Sequence, residues 1–370
     1  MCGQSTDDFY IISSGLVAGE TTIGNSNRTL FQYISPHGQV LEYARAMVAN
    51  RLARNGKEWV EIFRKHNSGT YNNQWYIVDY KKFRPRTSRQ KGAIKPGLLW
   101  VVEQLPGYME AADLTKKFKE LGYFPSYNIP LFRRVFSLSG GNVRVATFGE
   151  WFGYRTNPRA KILSEKQANI GNLRDMYFTM RYNDYKHDPL SRCENCDPPY
   201  SACNAIAARN DLNPANGTFP FRALGHRSHG ATDAKITSAY LRTSYRFLAV
   251  ASPPHNISRG IPPFQWSKFD LGKTLSHVGH PDEWLFQPLL HDWEWDFSAQ
   301  FTLFVWGQLL GGSTQSKPHR EDLPQLGHAR APPRSSDRAA EPWSVGMFDS
   351  KAARSLNALR VVPCLARAWD

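Results

Sequence analysis

Two stretches of the chain carry side chains whose types and spacing could do chemistry. The first is "HNSGTYNNQWYIVDY", residues 66 to 80, where amides and hydroxyls stand directly in front of an aromatic and β-branched run. An oxyanion hole needs uncharged donors held where negative charge develops, and Asn67, Asn72 or Asn73 at a strand edge could each supply one. A plain polar turn ahead of a strand would use the same residues. The second stretch is "RSHGATDAKIT", 227 to 237, in which Asp233 and Lys235 alternate so as to share one face of a strand, as a surface ion pair or as a charge offered to a substrate. His187-Asp188 and His229 suggest proton transfer, although a single loop histidine is more often a solvated residue.

The short catalytic motifs are silent. There is no GxSxG elbow, phosphate-binding glycine loop, HExxH or GxGxxG, and nothing in the sequence calls for a cofactor. Three of five cysteines fall in "CENCDPPYSAC", as Cys193, Cys196 and Cys203. Zinc would need a fourth ligand from far away, a thioredoxin-like site would need a helix start after the CxxC, and a local Cys193–Cys196 disulfide needs neither.

These residues must be positioned by a folded body, and 41% hydrophobic content over 370 residues is enough for a large core. Residues 41 to 65 read as helix, with Leu41, Ala44, Val48, Leu52, Trp59, Ile62 and Phe63 near helical spacing and a break at Asn55-Gly56. "QWYIVDY" reads as a strand, as does "LLWVVEQLP" (98 to 106), stopped by Pro106. Residues 164 to 182 read as one helix with Leu173, Met176, Tyr177 and Met180 on one side, whereas periodicity leaves 233 to 251 undecided between strand and helix. Strands and helices are mixed, which is an α/β or α+β pattern. From about Phe297 the chain turns rich in Pro, Arg, Ser and Ala without periodicity, so 297–370 is expected to be a disordered tail.

Net charge is +14, yet no run of five or six like charges occurs, and basic and acidic residues interleave as on a solvated surface. Nucleic-acid binding is therefore disfavoured, while anionic lipid remains a possible counterpart. No apolar stretch approaches 20 residues, so a transmembrane segment is not expected. The N-terminus lacks the pattern of a signal peptide. Against a cytosolic location stand three sequons, at Asn27, Asn216 and Asn256, each in a turn-rich context suited to an exposed loop.

The strings "DDFYIISSGL", "NSGTYNNQW", "VEQLPGY", "YFPSYNIP", "PRAKI", "MRYNDYKHDPLSRC", "ARNDLNPANG" and "PPFQWS" resemble the phospholipase B-like family, also called lamina ancestor, over residues 7 to 296. The CxxC and "NPANGTFPF" with "RSHG" favour the family's second member. The resemblance implies an N-terminal-nucleophile hydrolase fold of the α+β class, an αββα sandwich, in a glycosylated lysosomal or secreted protein with a lipid-like substrate. Its mechanism uses a cysteine exposed at a new N-terminus, whose thiol attacks a carbonyl while its own α-amine handles the proton. By the same resemblance Asn67 is the expected oxyanion donor, Thr70 and Asn72 line the site, and Lys235, oriented by Asp233, occupies the place of a site arginine in related acylases.

In the family, "DDFYIISSGL" lies some tens of residues after the nucleophilic cysteine. The chain is thus expected to lack that cysteine and the first strands, to need the missing N-terminal fragment as its partner, and to be inactive and unstable alone. "CGQST" shows no strand that could carry Cys2 to Asn67. Residues 1–6 and 297–370 have no counterpart in the family pattern. A lipid-binding remnant of the same fold is the alternative reading.

Overall fold

A computed structural model describes residues 9–87, 89–269 and 276–291, together with the backbone of Val361–Pro363. Its centre is a five-stranded antiparallel sheet. The chain enters it through β1 (Phe9–Ile11) and β2 (Leu16–Thr22), then leaves for two helices, α1 (Glu42–Leu52) and α2 (Gly56–Phe63), before returning as β3 (Asn73–Asp79). A two-residue pair, β4 (Phe83–Arg84) with β5 (Ala93–Ile94), leads to β6 (Leu99–Leu105) and β7 (Tyr108–Asp113). The sheet order is β1-β2-β3-β6-β7, with Trp75 between Glu20 and Val102 in register.

Every residue of β3 is buried, because both faces of the sheet are covered. On one face α1 and α2 pack over Trp75, Ile77 and Val102, and the rings of Trp59, Phe63 and Trp75 lie 4.8 to 5.7 Å apart. The break between the helices falls where Asn55 caps α2, its Oδ1 accepting from Glu58 N–H while the Glu58 carboxylate accepts from Asn55 Nδ2 at 2.7 Å and from Arg54 N–H at 2.8 Å.

The apolar stripe expected on the first helix is corrected. Leu41, Val48 and Leu52 are 58, 47 and 64% exposed, and the inward side of α1 is Ala46, Ala49 and Arg45. Small side chains let the helix approach the sheet closely enough to meet Trp59 and Trp75, and that proximity turns the larger residues outward.

The opposite face carries Tyr76, Val78 and Val101 against Phe118 of α3 (Thr115–Leu121) and Phe124 of β8 (Phe124–Ser126). Next come α4 (Arg133–Leu138), α5 (Gly141–Phe148) and α6 (Pro158–Lys166), then α7 (Leu173–Met180). The single helix expected over 164 to 182 is therefore the end of α6 and the whole of α7. Asn172 caps the new start by accepting from Asp175 N–H, and Gly171 N–H donates to the Asp175 carboxylate. The undecided stretch 233 to 251 is an antiparallel strand pair, β9 (Ala234–Ile236) and β10 (Phe247–Val250). A pair β11 (Phe264–Gln265) with β12 (Glu283–Trp284) follows, and β13 (Leu289–His291) completes a second sheet of order β13-β10-β9.

The mixture of helices and strands expected from sequence is present, and the main sheet is antiparallel. Cys193 and Cys196 form a disulfide with 5.4 Å between Cα atoms, which leaves no thiolate pair for zinc, and among the described residues no α-helix starts after the CxxC as a thioredoxin-like site would need; Cys203 is a buried free thiol whose pKa is raised by burial. The expectations for residues 1–6, Cys2 included, and for the tail lie outside the described residues, except that β14 (Val361–Pro363) runs parallel to β8. No helix among the described residues is long and apolar enough to cross a membrane.

Candidate functional site

At one end of the large sheet β2 finishes at Thr22, β3 starts at Asn73 and β6 finishes at Leu105, and the loop 66–72 closes over that end. The loop turns tightly. His66, Gly69 and Tyr71 all have positive φ, and a side chain at Gly69 would place its Cβ 2.9 Å from the Pro106 backbone.

Side chains hold each turn of it. Asn67 Oδ1 accepts from Gly69 N–H at 2.9 Å and Asn67 Nδ2 donates to the Leu105 carbonyl at 2.9 Å. A carboxamide has two N–H donors, so one remains after the bond to Leu105. Asn72 Nδ2 donates to the Gly69 carbonyl, and Thr70 Oγ1, which is exposed, donates to Ser68 Oγ. Gln104 Nε2 reaches the Thr70 carbonyl at 2.9 Å and Asn72 Oδ1 at 3.3 Å. Behind Gln104 stands Arg45, which donates to Gln104 Oε1 at 2.5 Å and to the Phe63 and Val40 carbonyls. Burial lowers the Arg45 pKa to about 10, with Glu42 opposing, so the guanidinium stays charged near neutrality.

Asn73 completes this end. It is 1% exposed, and neither its Oδ1 nor its Nδ2 has a hydrogen-bond partner among the described residues. Such a group costs free energy unless something satisfies it.

On the other face, beside Gln74, lies Glu103, which is fully buried. Burial pushes its carboxyl up to about 7, against the lowering effect of donors from Leu131 N–H, Gln74 Nε2 and Phe132 N–H, with Glu110 adding a small rise. A carboxyl near neutrality has the affinity of a general acid or base. Here the contacts are structural: the bonds from Leu131 and Phe132 fix the turn that starts α4, and the bond from Gln74 ties β6 to β3.

A third group sits where β2 ends. Asn128, at φ 68°, donates from Nδ2 to the Thr22 carbonyl at 2.8 Å and accepts from Arg159 Nη1 at 2.8 Å. His229 belongs to the same neighbourhood electrically. Burial, then Arg227 and Arg159, push its pKa down to about 3, and its Nδ1 meets Asn210 Oδ1 at 2.9 Å. It is thus a neutral, partly buried ring rather than a solvated one. His187 is exposed and pairs with Asp184 at 2.7 Å, whereas Asp188 accepts from Tyr182 Oη and Leu190 N–H.

Asp233, the residue just before β9, and Lys235, within it, form an ion pair. Lys235 also lines a small cavity of about 40 Å³ with Tyr76 and Val78 of β3 and Met176 and Met180 of α7. The expected residues therefore fall into two sets: Asn67, Thr70 and Asn72 in the loop before β3, and Asp233 with Lys235 against its middle. The four residue steps from Asn72 to Tyr76 make a rise of about 13 Å.

Of the sequons, Asn216 and Asn256 are exposed, with the Asn256 carboxamide oxygen accepting from Ser258 Oγ. Asn27 differs from its expectation. It is half-buried, caps the turn Arg28–Tyr33 and gives its Nδ2 to the Leu138 carbonyl at 3.0 Å.

Sequence reasoning missed Arg45, Glu103, Gln104 and Asn128. A signal was available in "LWVVEQL", where two adjacent polar residues inside a buried strand must place one on each face. No such signal marked Arg45, whose partners come from residues 18 to 59 positions away as well as from its own turn.

Residues 2–291 match the family model described as Phospholipase B. The chain is 49% identical over 292 residues to the rat protein named "Putative phospholipase B-like 2", covering 78% of this chain and 48% of that one. It is 48% identical to the human protein of the same name, with the same coverage, and 42% identical over 300 residues to "Putative phospholipase B-like 1" of Caenorhabditis elegans, covering 81% of this chain and 52% of the other. The chain spans about half the length of the curated relatives it matches. With a match that runs through the loop, both sheets and the disulfide, the chain belongs to the phospholipase B family.

Proposed function

We propose that this chain is the substrate-positioning part of a phospholipase B-like hydrolase, which cleaves an ester or amide bond in a lipid-like molecule. In this reading the fold is the αββα sandwich of the N-terminal-nucleophile hydrolases. The attacking cysteine comes from the part of the family protein that precedes the matched half, and that part is the chain's partner. Asn67 donates to the oxyanion with its second amide hydrogen, Thr70 and Asn72 line the site, and the Asp233–Lys235 pair meets the polar end of the substrate.

The observation that carries this reading is the clamp on the loop. Arg45 holds Gln104, Gln104 holds the Thr70 carbonyl and Asn72, and Asn67 is pinned to Leu105, so the amide dipoles are fixed before any substrate arrives. Pre-set dipoles stabilise developing charge without reorganising in the transition state. The sequons, the disulfide and the basic balance agree with a lysosomal or secreted protein that meets anionic lipid.

The test is fatty-acid release from phosphatidylcholine and from an N-acyl amide by the protein carrying the preceding family segment. Turnover is expected, with the N67A variant lowering kcat about 10²- to 10³-fold and KM changing little. Turnover unaffected by N67A would remove Asn67 from the role. No turnover of either substrate would leave the second reading, a lipid-binding protein of the same fold, favoured by the cleft described next.

A further inference from the structure

A cleft of about 530 Å³ opens beside α4 and α5, and none of the residues lining it comes from the loop that precedes β3. One wall is apolar and comes from Leu131, Phe136 and Val145. Lys117 of α3, Arg133 at the start of α4 and Arg155 before α6 border the same space. Among the described residues lining it, Glu150 alone is acidic. The side chains of the three cations have no ion pair or hydrogen bond among the described residues. Burial, and then the charge of Arg155, lowers the Lys117 pKa.

Three cations against one carboxylate leave a local excess of two positive charges around a partly apolar hollow. Like charges placed together without a counter-charge repel, and an anion entering the cleft would relieve that repulsion. A bare anion would leave the apolar wall wet, however, while a neutral lipid would leave the cations uncompensated. The wall is rigid, since Glu103 anchors the N–H groups of Leu131 and Phe132, and the Phe136 ring packs so closely on Gly141 that a Cβ there would lie 2.7 Å from it. The volume lies within the range of sites for small organic ligands.

We propose that this cleft binds a single-chain anionic amphiphile, its carboxylate or phosphate head held by Lys117, Arg133 and Arg155 and its chain lying on Leu131, Phe136 and Val145. The site does not depend on the hydrolase reading. A protein that turns over nothing can still hold the amphiphile, and an active hydrolase can lack this site, so the two readings fail separately.

The experiment is calorimetric titration of the protein with dodecyl phosphate, dodecanoate, inorganic phosphate and neutral dodecyl maltoside, all below their micelle concentrations. One site is expected for dodecyl phosphate or dodecanoate, and the tighter of the two identifies the head group. The double variant R133Q/R155Q, whose two side chains are exposed in the native protein, should melt like wild type and bind at least about tenfold more weakly. Unchanged binding by that variant would overturn the proposal. So would inorganic phosphate binding as tightly as dodecyl phosphate, or the maltoside binding as tightly as either anion, or none of the probes binding.

Discussion

Arg45 of α1 and Gln104 of β6 meet at 2.5 Å inside the protein, 4% and 1% exposed, and this one contact joins a helix, a strand and the loop before β3. Its position makes it more than a packing detail. A buried guanidinium deprived of an acceptor is costly, and Gln104 also holds the Thr70 carbonyl.

Gln104→Ala should therefore destabilise the protein by about 2 to 4 kcal/mol, since it strips an acceptor from a buried cation and a donor from the loop. Gln104→Glu, which keeps the acceptor and adds a counter-charge but removes the donor to Thr70, should cost less. Urea denaturation of the two variants measures the difference, and equal losses would show that the clamp is not specific.

Glu103 makes stability depend on pH. Its folded pKa, about 7, lies above its ordinary value of 4.5, so between these the folded protein holds a proton that the unfolded chain releases. Stability on this account is fully present below pH 4.5 and falls as pH rises toward and through 7, by about 3 kcal/mol in total. Glu103→Gln should flatten the profile in that window at the cost of the bond from Phe132 N–H, about 1 kcal/mol. Thermal melts from pH 4.5 to 8 decide it: a wild-type profile that rises with pH across the window and is unchanged by Glu103→Gln would contradict the assignment.

The three sequons should separate by stability. Asn27→Gln removes a cap and the bond to Leu138 and should cost about 1 to 2 kcal/mol, whereas Asn216→Gln and Asn256→Gln, at exposed positions, should stay within about 0.5 kcal/mol. Peptide mass spectrometry of the protein from a glycosylating host should find glycan at Asn216 and Asn256 and none at Asn27. An occupied Asn27 in a folded protein would mean that its bond to Leu138 is dispensable.

The two faces of α1 give a contrast between two aliphatic changes. Ala49→Leu would force bulk between α1 and the sheet, where Ala49 is fully buried, and should cost about 1 to 3 kcal/mol. Leu52→Ala, at a residue 64% exposed, should be close to neutral. Were the reverse order measured by chemical denaturation, the helix would be rotated from its described orientation.

What could be read from the chain alone were the features that local chemistry decides. The strands over "QWYIVDY" and "LLWVVEQL" follow from apolar runs bounded by turn residues, and the helix break at Asn55-Gly56 from a residue that caps well. Family strings marked the loop before β3, and the close spacing of Cys193 and Cys196 made their bond plausible. Other features depended on partners distant in sequence. The periodicity of α1 is the same whichever stripe faces inward, and only contact with Trp59 and Trp75 selects Ala46 and Ala49. Arg45, Glu103 and Asn128 look like ordinary polar residues until Gln104, Leu131, Thr22 and Arg159 are brought beside them. A buried polar group takes its meaning from what satisfies it, and those partners are assembled only by the tertiary fold.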